Sequence, residues 1–303
     1  MKELTIVGGG PAGITAGIYA ARKNLNTLLL TKDFIGQLGN AGVIENWPGE
    51  KSIRGPELLT DLEEHLRNYD IQIKEERVVE INKEKDFFKI ESEEAIYRSE
   101  AVIVATGRNP RPLEIPGEKD YVGKGVSYCV TCDGALFKNK TVAVVGGGNS
   151  GLEGALELSD YVRRVTVLEI ADKLQGDEFL VEKVKGKNNI EILTRVEPKE
   201  IKGDSFVSSL RYEDLDKKEA FSIDVDGIFV LIGSIPTTDM LDNSVDYNDE
   251  GEIAIDFKTC RTSVDGLFAA GDVTGVRDKQ VVVSAGEGCK ALISAYDYIK
   301  NNR

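Results

Sequence analysis

Hydrophobic and polar positions follow two rhythms along this chain. Residues 3–8, ELTIVG, are a short apolar run that enters GGGPAG, and in the ITAGIYAARKNL that follows the apolar residues recur at helical spacing. The segment therefore reads as strand, glycine turn, helix. The same order returns at 140–151, KTVAVVGGGNSG, followed by LEGALELSDYV and the apolar strand VTVLE at 165–169. Between the two lies AVIVATGRNPRPLEIPG at 101–117, and a similar stretch, GIFVLIGSIPTTDML, occupies 227–241. Each is a strand ending at glycine with a proline soon after. Two such crossings predict a second domain, residues 114–239, inserted into a first made of residues 1–113 plus 240–303. They also suit a hinge. The expected fold class is α/β, with two Rossmann-like dinucleotide-binding domains of the three-layer ββα type.

Both turns satisfy G-x-G-x-x-G, with Gly8, Gly10 and Gly13 in the first and Gly146, Gly148 and Gly151 in the second. The first glycine permits the tight turn, the second lets backbone approach a pyrophosphate, and the third lets helix and strand pack closely. The helix N-terminus then offers free N–H groups to the phosphates. Two matches in strand and helix context point to two dinucleotides bound by one chain.

Composition removes several function classes. A formal charge of -14 opposes binding to a phosphate backbone, so no nucleic-acid partner is expected. The start, MKELTIVGGG, lacks the basic and apolar regions of a leader, and no apolar run approaches a membrane span, so no membrane partner and a cytoplasmic location are expected. Four cysteines in 303 residues are too few for a secreted disulfide framework.

Two of them form a CxxC in SYCVTCDG, Cys129 and Cys132, with Asp133 directly after. Half a metal site and a redox couple both use that spacing. A four-ligand shell would have to draw on Cys260, Cys289 and the lone His65, all distant in sequence, so no metal is expected. His65 lies in GPELLTDLEEHLRNY, which reads as a solvated amphipathic helix.

GGGPAG, GQL at 36–38, ENWPG at 45–49, ATG at 105–107, CVTCDG, GGGNSG, FAAGDV at 268–273 and KQVVVSAGEGCKA at 279–291 together give the chain an end-to-end resemblance to the low-molecular-weight thioredoxin reductase family. Its second half is especially similar to the flavoprotein component of alkyl hydroperoxide reductase, through GGGNSGLEGALEL, VTVLE and AGEGCKALISAYDYI. That protein carries an extra N-terminal thioredoxin-like module, whereas this chain starts at the flavin domain, so a separate dithiol protein is expected as acceptor.

The resemblance implies FAD in the first domain and NAD(P)H in the second. It places Cys132 facing the flavin, Cys129 attacking the partner's disulfide, and Asp133 handling the proton. Flavin contacts would fall on Gly8, Gly10, Pro11, Ala12, Gly13, Thr31, Lys32, Gly36, Gln37, Leu38, Asn46, Ala105, Thr106, Gly107, Gly271, Asp272, Gln280 and Val281, with Asp272 on the ribityl chain. Nicotinamide dinucleotide contacts would fall on Gly146, Gly148, Asn149, Ser150 and Glu169. Cys260 and Cys289 match no redox position and are expected to be packing residues. The implied partners are a thioredoxin or glutaredoxin-like protein and a second copy in a homodimer, and the inserted domain is expected to rotate between steps.

The chain departs from the NADPH-dependent pattern at one place. Where a basic cluster would hold a 2'-phosphate, Glu169 ends the strand, and an acidic residue there suits the ribose 2'-hydroxyl of NADH. Arg163 and Arg164 precede the strand, and Lys173 could lend partial tolerance of NADPH. Rival readings are a nicotinamide-independent relative fed by ferredoxin or a deazaflavin, a flavin dithiol oxidase, and a nucleotide sensor with a regulatory thiol pair. The intact GGGNSG argues against the first two.

Overall fold

The first apolar run becomes the centre of a seven-stranded sheet. In the computed structural model, which describes residues 1–39, 41, 43–44, 46–242 and 245–302 and the backbone alone at 43, 131 and 132, Lys2–Val7 runs parallel to Thr27–Thr31 on one side and to Ile96–Val104 on the other. Ile6 lies opposite Leu29 and Ile103. Gln72–Glu75 and Leu267–Ala269 add further parallel strands. The N-terminal half of Ile96–Val104 pairs instead with Phe88–Ser92, which pairs with Val78–Lys83, both antiparallel. One long strand is thus shared between a parallel sheet and an antiparallel meander.

Both faces of the parallel part are covered, which is why its strands read as continuous apolar runs. Leu4, Ile6, Leu29 and Ile103 pack with Ile14, Leu66 and Leu292 from the helices Pro11–Arg22, Gly55–Arg67 and Val281–Asn301. Val7, Leu28, Leu30 and Val104 face the opposite way, toward Phe88, Met240 and Val273. His65 is exposed on the second of those helices, its ring 5.8 Å from Tyr69.

The chain divides into two compact units, Met1–Asn109 with Ile235–Arg303, and Pro110–Ser234. Each boundary lies a few residues before the crossing expected from the glycine and proline stretches. On the first unit's side the Thr237 N–H donates to the Gly107 carbonyl (2.9 Å), and on the second's the Arg111 N–H donates to the Gly233 carbonyl (2.9 Å).

The second unit repeats the plan around Thr141–Val145. Its five-stranded parallel sheet runs Val126–Ser127, Gly227–Val230, Thr141–Val145, Arg164–Glu169, Ile190–Thr194. A three-stranded antiparallel ribbon, Val196–Gly203, Val207–Asp214 and Glu219–Asp224, covers one face through Ile201 and Leu210, and the helix Asn149–Ser159 covers the other through Ala155 and Leu158. Among the described residues no helix is long and apolar enough to cross a membrane.

In the first unit the C-terminal helix lies so close to the first that a Cβ on Gly288 would overlap the Ala12 carbonyl oxygen, whereas one on Gly286, two residues earlier, would meet nothing within 4 Å. Gly288→Ala should therefore cost about 1–3 kcal/mol through forced displacement of the helix pair, while Gly286→Ala should stabilise by up to about 1 kcal/mol through helix propensity alone. Urea unfolding followed by circular dichroism separates the two; equal midpoints would remove the close-packing argument.

Candidate functional site

The two glycine turns share one internal geometry. Gly8 and Gly146 have φ of 120° and 116°, a region open to glycine, and a Cβ on either would overlap a neighbouring carbonyl, that of Ala105 or of Leu231. Gly13 and Gly151 sit so near Gly8 and Gly146 that a Cβ would overlap their carbonyl oxygens. Gly10 and Gly148 are the N-caps of the helices, with φ and ψ of -83° and -176° in one and -82° and -177° in the other. A Cβ on either would meet nothing within 4 Å, and neither helix has a side-chain cap. Each helix thus starts beside an open flank with no side-chain cap on its first N–H groups, an arrangement that can take a pyrophosphate.

Around the first turn, Pro11 occupies the first helical position and Ala12 is buried beneath it. Thr31 ends its strand buried, its hydroxyl donating to the Asp33 carbonyl (2.5 Å), and Lys32 is exposed beside it. Gly36 opens the short helix Gly36–Gly39, where Leu38 is buried and the Gln37 amide donates to the Arg108 carbonyl (3.4 Å). Ala105 is buried, and the Thr106 hydroxyl donates to the Thr237 carbonyl (2.6 Å). The Asn46 amide donates to Oε1 of Gln280 (3.0 Å), which stands at the N-cap position of the C-terminal helix that Val281 begins, without a side-chain capping bond.

The turn after Leu267–Ala269 brings Gly271 and Asp272 to the same helix. The Gly271 N–H donates to the buried Glu287 carboxylate (3.0 Å) and the Ser284 hydroxyl to Oδ1 of Asp272 (3.0 Å). Burial raises the Asp272 carboxyl above its ordinary range, and the Ser284 hydroxyl, Lys279 and Arg108 pull in the other direction. Glu252, 3% exposed, accepts from Arg108 (2.5 Å), Lys279 (2.6 Å) and Asn248 (2.8 Å). Burial opposes its charge, but Lys279, Asn248 and Arg108 override that and hold it below the usual carboxylate range.

Around the second turn, Glu169 is 8% exposed, and its two oxygens accept the Gly147 N–H (2.6 Å) and the Ala171 N–H (2.8 Å). Each oxygen keeps acceptor capacity for a further donor. Asn149 accepts the Asp177 N–H (2.7 Å) and donates to its carboxylate (3.2 Å), while Ser150 is exposed. Arg163 and Arg164 stand at the other end of the strand, about 16 Å away by strand rise, where Arg163 bonds Thr141 and Arg164 pairs with Glu191. Lys173 is exposed in the loop after Glu169.

The CxxC lies in the second unit, on the turn between Val126–Ser127 and the short 3-10 helix Gly134–Phe137. Cys129 is disulfide-bonded, whereas Cys260 and Cys289 are free. Cys132 contributes its backbone to the helical turn Val130–Asp133; its side chain, to which a role at the flavin was assigned, lies outside the described residues. Asp133 stands at the N-cap of the 3-10 helix but makes no capping bond. Its Oδ2 accepts the hydroxyl of Ser127 instead (2.6 Å), and the Ser127 oxygen accepts the Cys129 N–H (3.0 Å). Burial raises the Tyr128 hydroxyl pKa, aided by the bond it donates to the buried Glu118 (2.8 Å).

Cys260 is fully buried, its thiol pushed up to about 12 by burial, and Cys289 is half-buried against Tyr19. Among the described residues no cluster of histidine, cysteine and carboxylate side chains could hold a metal ion. Sequence reasoning missed Ser127, Glu252 and Glu287. Of these only Ser127 carried a readable signal, a hydroxyl two residues before a cysteine in a motif already singled out.

Residues 2–288 match the family described as pyridine nucleotide-disulphide oxidoreductase. The chain belongs to that family. Membership implies a flavin and a nicotinamide and makes the protein an oxidoreductase. Among this family's members of known structure, thioredoxin reductase from Lactococcus lactis is 35% identical, with a TM-score of 0.93 over 99% of this chain and 100% of that one. Thioredoxin reductase from T. acidophilum is 39% identical, with a TM-score of 0.89 over 98% of each. The expected family and the expected pair of dinucleotide-binding domains are thereby shown. The F component of alkyl hydroperoxide reductase from Staphylococcus aureus strain NCTC 8325 is 42% identical over 302 residues, which are 99% of this chain and 59% of that protein. The chain therefore spans about six-tenths of the length of the curated relatives it matches.

The direction of the Asp272 shift gives a test on the flavin-free protein. A carboxyl raised in the fold favours the protonated form, so its contribution is fully present below the unfolded value near pH 4 and is lost as pH rises through the folded value. Asp272→Asn should raise the thermal midpoint at pH 7, and the gain should vanish below about pH 4. A gain independent of pH would assign the effect to something other than the buried charge.

Proposed function

We propose that this chain is a thioredoxin reductase-like enzyme that takes electrons from NADH in preference to NADPH, through FAD and the Cys129–Cys132 pair, to a thioredoxin or glutaredoxin-like protein. The observation that carries this reading is the combination, in one chain, of two matched glycine cradles and a disulfide-bonded Cys129 beside an Asp133 whose carboxylate is turned away from helix capping. A bound flavin would supply two-electron transfer between a nicotinamide and a disulfide. The residues around the first turn fit such a group: the open side of Gly10 admits a pyrophosphate, and Asp272 at the mouth of the C-terminal helix offers a half-buried acceptor to a polyol.

Each side of the chemistry has assigned residues. Gly146, Gly148, Asn149 and Ser150 hold the nicotinamide dinucleotide, and Glu169 accepts from its ribose hydroxyl with the oxygen capacity that Gly147 and Ala171 leave free. A 2'-phosphate there would meet a fixed carboxylate, with Lys173 as the adjacent cation. Asp133 takes and returns the proton that disulfide opening and closing requires, Cys129 attacks the acceptor protein's disulfide, and Cys132 is the sulfur reached from the flavin side. The enzyme acts in the cytoplasm as a homodimer.

Anaerobic titration of the purified protein, following the flavin's visible absorbance, tests the reading directly. NADH should bleach it faster than NADPH; equal bleaching by both sinks the selectivity argument, and bleaching by neither sinks nicotinamide use. Glu169→Ser should shift the NADPH to NADH ratio of kcat/KM upward by about 10–100-fold, the worth of one charged interaction. It should also lower stability by about 1–3 kcal/mol, since two backbone N–H groups lose their acceptor. Cys132→Ser should abolish reduction of a thioredoxin disulfide with bound flavin retained, and loss of flavin in that variant would count against its role.

A further inference from the structure

We propose that Ser127 is a positioning residue for Asp133, holding one carboxylate oxygen so that the other is presented to the sulfur chemistry of the CxxC turn. The inference rests on the reading of Asp133 as the acid and base of that turn. Ser127 is 6% exposed and ends the strand Val126–Ser127, on the side of the sheet where parallel α/β folds place their ligands. Its hydroxyl has one hydrogen and two acceptors in reach, Oδ2 of Asp133 at 2.6 Å and the Cys129 carbonyl at 3.1 Å. The shorter, charge-assisted bond takes it. The same oxygen accepts the Cys129 N–H at 3.0 Å, so one buried side chain fixes both the backbone that carries Cys129 and the carboxylate of Asp133.

A residue at the N-cap ordinarily spends its carboxylate on the helix that follows. Asp133 leaves that position unused, and the Ser127 bond accounts for the departure. Little else in the unit competes for the site. In the turn that follows the helix Asn149–Ser159, the Tyr161 hydroxyl lies against Gly134, and its pKa is pushed up to about 12 by burial, then by Glu157 and Asp160. Tyr161 therefore stays protonated through the working range. Tyr128 points to Glu118 and is likewise raised.

The proton balance shows what positioning achieves. When an external dithiol reduces the disulfide that contains Cys129, the S–S bond breaks, two electrons arrive, the dithiol becomes a disulfide, and the two sulfur atoms released take up two protons in all. The attacking dithiol sheds its protons in the same exchange, and Asp133 relays one of them to the leaving sulfur. A carboxylate anchored at Oδ2 keeps Oδ1 aimed for that relay; an unanchored one rotates away.

The test uses the intact flavin-bound protein and dithiothreitol as the reductant. The exchange rate is read at pH 7 by trapping the Cys129 thiol with iodoacetamide and counting it by mass spectrometry, with flavin absorbance and thermal midpoint as controls for the fold. Ser127→Ala should slow exchange at pH 7 by about 10-fold, the worth of one hydrogen bond to a charged group. Ser127→Thr should restore the rate. In an Asp133→Asn background Ser127→Ala should add nothing. Ser127→Ala with the wild-type rate, or with the same loss in the Asp133→Asn background, overturns the positioning role. Asp133→Asn exchanging as fast as wild type overturns the reading of Asp133, and the positioning role with it.

Discussion

In both units a helix has to begin within touching distance of the strand that feeds it. That is possible only because the residue in its first turn carries no side chain, Gly13 against the Gly8 carbonyl and Gly151 against that of Gly146. Burial of the parallel strands on both faces provides the driving force for the sheets. The glycine contact decides where each helix starts, and hence that its free N–H groups open over the C-terminal end of the central strand. The residues at the ends of adjacent strands, Thr31 in one unit and Glu169 in the other, are brought to the mouth of the turn by the register of the same sheets.

A chain with a formal charge of -14 would be expected to keep its carboxylates in water. Here several are drawn inside and used as acceptors for groups that would otherwise be unsatisfied. Glu169 takes two backbone N–H groups, Glu287 takes that of Gly271, Glu118 takes those of Leu113 and Glu114 at 2.7 Å each, and Asp133 takes a serine hydroxyl. Each is thereby fixed in direction, which is what a group that must meet a ligand or move a proton needs. Glu252 differs in being held by cations and an amide, and it ties Arg108, beside the first crossing, to Lys279, beside the C-terminal helix.

How much of this could be read from the chain alone depended on whether the signal was local. Glycine spacing within six residues announced both turns, because each glycine answers to a neighbour a few bonds away. The apolar runs announced the strands, because burial on both faces leaves no room for alternation. Glu287 and Glu252 stayed hidden for the opposite reason. Glutamate is ordinarily a surface residue, and what makes these two unusual is a donor that only the folded chain supplies, for Glu287 from 16 positions away and for Glu252 from 144. Ser127 is the local exception, its partner Asp133 only six positions on. The chain divides after Asn109 and after Ser234, where packing into each unit ends, and glycine and proline mark a bend without marking the last packed residue.

The likeness of the two glycine turns has a consequence for recognition. Their backbone angles agree within a few degrees, and a carbonyl closes over each in the same way. A molecule that presents only an adenosine diphosphate moiety carries no address for either one. What differs between them lies at the mouth, where Thr31 ends one strand with Lys32 just after it and Glu169 ends the other. The two cradles are near-identical sockets told apart by a handful of side chains.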